Sequence, residues 1–132
     1  MMNRVLTASL IAFALATGCV PKKDVPASEV PKLTSLKELM DAQATTADPV
    51  MGKTGEATYS DADYAAFAET ASRIAATSTK AKEWSKGPEF DAYADKLHAN
   101  AEALGTAANA FDAKGASDAL AAMKSICKCL HS

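Results

Sequence analysis

The sequence has few aromatic residues and no strong excess of charge. Phe, Trp and Tyr make up 6% of the 132 residues, and the formal net charge is −2. Aromatic and β-branched residues favour strands, whereas alanine, which dominates most of this chain, favours helices. A weakly acidic chain without a basic patch lacks the charge pattern of nucleic-acid-binding proteins. We therefore predict an all-α protein that does not bind nucleic acid.

The sequence also lacks the patterns that mark common catalytic sites. It contains no Ser-His-Asp order, no glycine-rich phosphate loop and no carboxylate pair in a recognisable context. We therefore predict that the protein is not an enzyme.

The apolar run near the N-terminus is too short to cross a membrane. Arg4 precedes apolar residues 5–16, which is typical of an export signal, whereas a membrane span needs roughly twenty apolar residues. Residues 15–19, with the sequence LATGC, resemble a bacterial lipobox, in which the chain is cut before a cysteine that carries a diacylglycerol. We therefore expect residues 1–18 to be a lipoprotein signal peptide and Cys19 to anchor the mature chain to membrane lipid. An ordinary signal peptide followed by an incidental cysteine is the alternative.

Residues 19–32 differ in composition from the rest of the chain. They contain Pro21, Pro26 and Pro31 among charged and small residues. Such a composition favours an extended tether that builds no core. We therefore expect the folded domain to span residues 33–132.

Four amphipathic segments follow the tether. The first is expected to open at Thr34 or Ser35, where Ser35 and Glu38 have capping-box spacing. Pro49 is expected to end or kink it before a loop over residues 48–59, and continuation of the helix into part of this stretch after the proline is the alternative. The second starts near Ser60 and runs towards Trp84. The third covers residues 89–111, after a break at residues 87–88, and the fourth begins near residue 116, after a break at residues 114–115.

The apolar residues of these segments recur every three or four positions, so each segment has one face to bury. Short connections between four such segments predict an antiparallel four-helix bundle. In chain order, the predicted inward faces are as follows: in the first segment Leu36, Leu39, Met40 and Gln43; in the second Tyr64, Phe67, Ala71, Ile74 and Ala75; in the third Phe90, Tyr93, Ala94, Leu97, Ala101, Leu104, Ala108 and Phe111; and in the fourth Leu120, Met123, Cys127 and Leu130.

The C-terminal residues carry an altered haem-attachment motif. Covalent attachment uses Cys-x-x-Cys-His, in which both cysteines bond the haem and the histidine ligates its iron. Cys127 stands four positions before His131, as the motif requires, so both lie on one helical face. Cys129 is displaced by one position, and Leu130 stands where the second cysteine belongs. One thioether, from Cys127, is therefore geometrically easy.

The chain resembles the cytochrome c′ family over residues 31–131. Residues 123–131 look like the C-terminal haem helix of that family, and the opening helix with Leu36, Leu39 and Met40, followed by Pro49, looks like its first helix. The resemblance implies a monohaem, periplasmic four-helix protein that transfers electrons or binds small gases.

The resemblance also assigns roles to individual residues. It implies that Cys127 bonds haem c, that Cys129 belongs to the attachment motif and that His131 ligates the iron. Met40 then faces the other side of the iron, either as its sixth ligand or as an apolar block. An unidentified redox partner in the periplasm, a homodimer and an outer-membrane rather than inner-membrane anchor are further expectations by analogy.

Several other interpretations remain open at this point. A haem-free four-helix lipoprotein with a binding or structural role is the main alternative. Cys127, Cys129 and His131 have the ligand types of a zinc or copper site, and Cys129 is also a candidate for an intermolecular disulfide. By default, methionines such as Met40 fill the core, His98 is solvated and Trp84 caps the bundle.

Overall fold

The computed structural model of the chain describes residues 24–130, with side chains as far as Lys128. Within this range it contains α-helices and short 3-10 helices and no strand, which confirms the predicted all-α class. The elements are a 3-10 helix Ala27–Lys32, α1 Leu36–Met51, α2 Asp61–Ala81, a 3-10 helix Lys82–Trp84, α3 Pro88–Asn109 and α4 Ala113–Leu130.

Consecutive helices run antiparallel. At one end of the α2–α3 pair, the Tyr64 hydroxyl donates to the Phe111 carbonyl oxygen at 3.1 Å. At the other end, Lys82 Nζ donates to Asp95 Oδ1 at 2.7 Å. The loop after α1 returns to α4 through a hydrogen bond of 2.8 Å from Gly55 N to Ser117 Oγ. The predicted antiparallel four-helix bundle is therefore confirmed.

Local capping fixes the starts of the first two helices. Ser35 Oγ accepts from Glu38 N at 3.2 Å, whereas the Glu38 carboxylate accepts from Thr34 N at 2.9 Å instead of closing a capping box with Ser35. Ser60 and Asp63 do form a complete capping box at the start of α2. Both starts were predicted, because a capping residue satisfies backbone N–H groups that the helix itself cannot.

Pro49 does not end α1, which continues to Met51. A proline removes one intrahelical hydrogen bond, but α1 has only two residues left after it, so the loss is confined to the last turn. A turn follows at residues 52–55, with Gly55 at a φ of 85°. The predicted loop over residues 48–59 is therefore too long at its beginning.

The break between α3 and α4 lies earlier than predicted. Phe111 has a φ of 54° and is 62% exposed, so it belongs to the turn rather than to the buried face of α3. Asp112 Oδ1 accepts from Gly115 N at 3.0 Å. This cap places Lys114 and Gly115 in the first turn of α4 instead of in a break.

The segment before α1 is folded from residue 24 onward, contrary to the expected extended tether. Val25 and Val30 are buried with Ala42 in a small second core. Arg73 of α2 also pairs with Asp24 and with Glu69. Burial of two valines stabilises this segment on the bundle despite its prolines. Residues 20–23 lie outside the described range.

The main core follows the predicted helical faces closely, because side chains spaced by three and four residues point to the same side. Six residues of those faces are only half-buried, namely Leu36, Met40, Ala75, Phe90, Tyr93 and Cys127, and the side chain of Leu130 lies outside the described part of the chain. Met123, Leu120 and Leu104 are among its fully buried members, and the whole cluster comprises Ala47, Val50, Tyr64, Phe67, Ala71, Ile74, Leu97, Ala101, Leu104, Ala107, Ala108, Ala116, Ala119, Leu120 and Met123.

Candidate functional site

A cavity of about 350 Å³ lies between α1 and α4. Its volume falls within the roughly 300–1,000 Å³ of typical small-molecule and cofactor pockets. We call it the α1–α4 groove; it is lined by Gln43, Ala44, Ala47, Asp48 and Met51 of α1 and by Lys124, Cys127 and Lys128 of α4.

The groove exists because of how these two helices pack. α1 makes its main contacts with α2 and only a few with α4. Its groove-facing positions recur every three or four residues and include the small side chains of Ala44 and Ala47. Small side chains on one wall leave space that larger residues would fill.

Gln43 is the most unusual residue of the groove. Its side chain is only 2% exposed, and neither Nε2 nor Oε1 has a hydrogen-bond partner within the described residues. A buried polar group without a partner costs about 1–3 kcal/mol. The unpaired amide indicates that a bound group or water supplies the missing partner.

The opposite wall of the groove holds a free thiol. Cys127 is half-buried on α4. Burial, and to a smaller degree the negative charge of Asp48, raises the pKa of the Cys127 thiol above its ordinary value. Lys124 and Lys128 are exposed beside it. The groove therefore combines apolar walls, one neutral thiol and a charged rim.

The structure brings one of the predicted site residues into the groove, Cys127. Met40 is half-buried on α1 and is not among the residues that line the groove. The side chain of Cys129, together with Cys19 and His131, lies outside the described part of the chain. The predicted roles of these four residues therefore stay predictions.

The sequence pattern predicted that Gln43 lies on the inward side of the first helix, but it indicated no role for this residue. A polar amide among apolar positions of a helix was the available signal. Asp48 and Met51 received no role for another reason, since both fall within the stretch that was predicted to be mainly a loop.

The His98 side chain is 38% exposed, so it is partly solvated, and it also makes contacts within the protein. Its Nδ1 lies 3.0 Å from the Ala75 carbonyl oxygen, and its Nε2 lies 3.3 Å from Glu102 Oε1. Because a carbonyl oxygen only accepts, Nδ1 carries the proton in the first contact. His98 therefore links α3 to α2. Trp84 is half-buried after α2, with Lys80 Nζ 5.3 Å from its ring centre.

Residues 24–130 contain no helix with the length and apolar character of a membrane span. The same part of the chain contains no cluster of three or more His, Cys, Asp or Glu side chains suited to a metal ion.

Comparison with known proteins gives a consistent result. A family model described as Cytochrome C' matches residues 33–132. A protein named cytochrome c' from Pararhodospirillum photometricum is 46% identical over 67 residues, which cover 51% of this chain and 54% of the relative. The match thus spans about half the length of that curated relative. No solved structure matches the chain significantly.

Proposed function

This chain belongs to the cytochrome c′ family, and from that premise we propose that it is a c-type cytochrome that transfers electrons or binds small gases at one haem c in the α1–α4 groove. The observation that carries the proposal is the position of Cys127. Its free thiol lines the α1–α4 groove, between α1 and the C-terminal helix that carries the altered attachment motif.

The residues of the groove fit a large, mostly apolar group with polar edges. Ala44, Ala47 and Met51 offer apolar contact, and the exposed Lys124 and Lys128 offer positive charge at the rim. The amide of Gln43 has no hydrogen-bond partner within the described residues, and a bound group can supply one. These features support the haem assignment independently of the family match.

The residues of α4 hold the group in this proposal. Cys127 would form the single thioether, and His131, four positions later in the sequence, would ligate the iron. Met40 lies one turn before Gln43 on α1 and is proposed to close or ligate the other side. When bound, haem supplies one-electron transfer and gas binding, while the protein sets solvent access and polarity around it.

The proposal includes a location. The export signal and the lipobox-like residues 15–19 support a periplasmic protein that is anchored to lipid through Cys19. The described part of the chain begins at Asp24, five positions after Cys19. Metabolic labelling with a fatty acid tests the anchor, because a Cys19→Ser variant then loses the label.

The haem assignment is tested by purifying the full chain from cells that attach haem to c-type cytochromes. The wild-type protein is expected to keep its Soret band after acid-acetone extraction, and Cys127→Ala is expected to lose it. Cys129→Ala is the matched control, and it is expected to keep the band because Cys127 alone forms the bond.

A colourless protein with only the mass of its polypeptide and lipid would overturn the proposal. That result would instead support a haem-free bundle with a binding or structural role. A band lost equally in Cys127→Ala and Cys129→Ala would contradict the assignment of a single thioether. Metal analysis of a colourless sample prepared without chelators would then test for zinc or copper.

A further inference from the structure

Attachment of the haem through Cys127 does not by itself say which atom pairs with the amide of Gln43. Its side chain is 98% buried, and both polar atoms of its amide are unpaired within the described residues. Most buried polar groups in proteins are hydrogen-bonded, so an unpaired amide that lines a cavity points to a ligand. A neutral amide offers two N–H donors and one acceptor oxygen.

The position of Gln43 determines what it can meet. Gln43 and Cys127 lie on opposite walls of the α1–α4 groove. A haem held by Cys127 would share the groove with the α1 residues that line it. Within the described lining, the remaining α1 residues are two alanines, a methionine and the exposed Asp48, none of which has a side-chain N–H donor. Gln43 is therefore the buried donor on that wall.

We propose that Gln43 determines which small ligands this protein binds, by donating a hydrogen bond from its amide to a ligand on the α1 side of the haem. The inference rests on the proposed function and names the ligand class for the same site. Ligands that carry negative charge on an accepting atom are favoured over neutral ones, because hydrogen bonds to charged acceptors are the stronger ones.

The test compares the haem-loaded full chain with its Gln43→Leu variant, which removes the donor and keeps an apolar side chain of similar size. Cyanide binding to the ferric protein probes an anionic ligand, and carbon monoxide binding to the ferrous protein probes a neutral one. Gln43→Leu is expected to weaken cyanide binding by roughly two- to tenfold, which is the contribution of one hydrogen bond. Carbon monoxide affinity is expected to change by less than that of cyanide.

An infrared spectrum provides a readout that does not depend on affinity. A donor near the oxygen of bound carbon monoxide lowers the C–O stretching frequency, so the frequency is expected to rise in Gln43→Leu. Asn100→Leu is the matched control, since it removes an amide donor on α3 that bonds the Lys96 carbonyl oxygen and does not line the groove. Cyanide affinity and C–O frequency are expected to stay at their wild-type values in this control.

The possible failures are distinguishable. A haem-loaded Gln43→Leu variant with unchanged cyanide affinity and unchanged C–O frequency would overturn the inference and leave the proposed function intact. Equal losses of cyanide and carbon monoxide affinity would also overturn it, because they indicate altered access rather than a lost donor. A wild-type protein without a Soret band would overturn the proposed function and this inference together.

Discussion

The carboxylate of Asp48 on α1 and the thiol of Cys127 on α4 face the same groove, although they are far apart in the chain. Burial of the thiol and the negative charge of Asp48 both raise the pKa of Cys127. Both effects favour the neutral thiol over the thiolate. In the haem-free protein, the thiol is therefore expected to react slowly despite being half-exposed.

Alkylation of the haem-free protein tests this relationship, because only the thiolate reacts with iodoacetamide. Cys127 is expected to react more slowly at pH 8 than it does in the unfolded chain. Asp48→Asn is expected to accelerate the reaction about two- to threefold, since it removes one nearby charge in a well-screened position. Asp41→Asn is the control, because Asp41 pairs with Lys37 at 2.7 Å and does not line the groove.

Mass spectrometry can follow Cys127 alone. Cleavage after Lys124 and Lys128 separates the peptide that contains Cys127 from the peptide that contains Cys129. Equal rates in the Asp48→Asn and wild-type proteins would contradict the influence of Asp48.

The same raised pKa predicts how stability depends on pH. The folded protein holds the Cys127 proton more tightly than the unfolded chain does, so this contribution is fully present below the unfolded pKa. It is lost as the pH rises through the folded pKa, which places the loss in the alkaline range above about 8.5. Chemical denaturation across that range is expected to show a smaller loss of stability in Cys127→Ala than in the wild-type protein.

Gln43→Leu is expected to stabilise the haem-free protein by about 1–3 kcal/mol, because it removes two unpaired buried atoms and keeps the buried volume. Urea denaturation measures this change as a higher midpoint. Gln43→Glu is the matched control and is expected to destabilise the same form, since it places a carboxylate in the same buried position. An unchanged midpoint for Gln43→Leu would indicate that water already satisfies the amide.

Gly115→Ala is expected to destabilise the protein by about 0.5–2 kcal/mol, the usual contribution of a helix cap. An added Cβ at residue 115 would lie 2.3 Å from Asp112 Oδ2, so it would displace the carboxylate that caps α4. Thermal denaturation followed by circular dichroism measures the loss.

Gly52→Ala provides a control of opposite sign. Gly52 has helical dihedral angles, with a φ of −64°, and the nearest atom to its added Cβ is the Pro49 carbonyl oxygen at 3.8 Å. This substitution is expected to stabilise the protein by about 0.4–1 kcal/mol, because it restricts the unfolded chain without strain. Equal effects at both positions would contradict the role of the Asp112 cap.

Val30→Ala tests whether the segment before α1 is part of the fold. Val30 is 1% exposed, and removing two buried carbon atoms is expected to cost roughly 2 kcal/mol. Glu29→Gln changes an exposed pair with Lys32 and is expected to cost less than about 0.5 kcal/mol. If the segment were an extended tether, both substitutions would leave the thermal midpoint unchanged.

The sequence predicted the helices well because their signals are local. The spacing of Tyr64, Phe67 and Ile74 identifies the buried face of α2, and Ser60 identifies its start, without any knowledge of neighbouring helices. The errors arose where contacts between distant segments outweigh local preference. Val30 is buried by α1 and α2 despite the flanking prolines, and the Asp112 cap moves Phe111 out of the predicted helix.

For the candidate site, the sequence by itself determined the helical class and the spacing of Cys127 and His131. Residues that are four positions apart in a helical sequence are expected on the same face. Only the tertiary structure decided which residues oppose Cys127. The amide of Gln43 and the carboxylate of Asp48 meet the groove because α1 packs antiparallel to α4 with small side chains between them. Periodicity within one helix contains no information about the register of another, so this pairing appears only when the bundle is assembled.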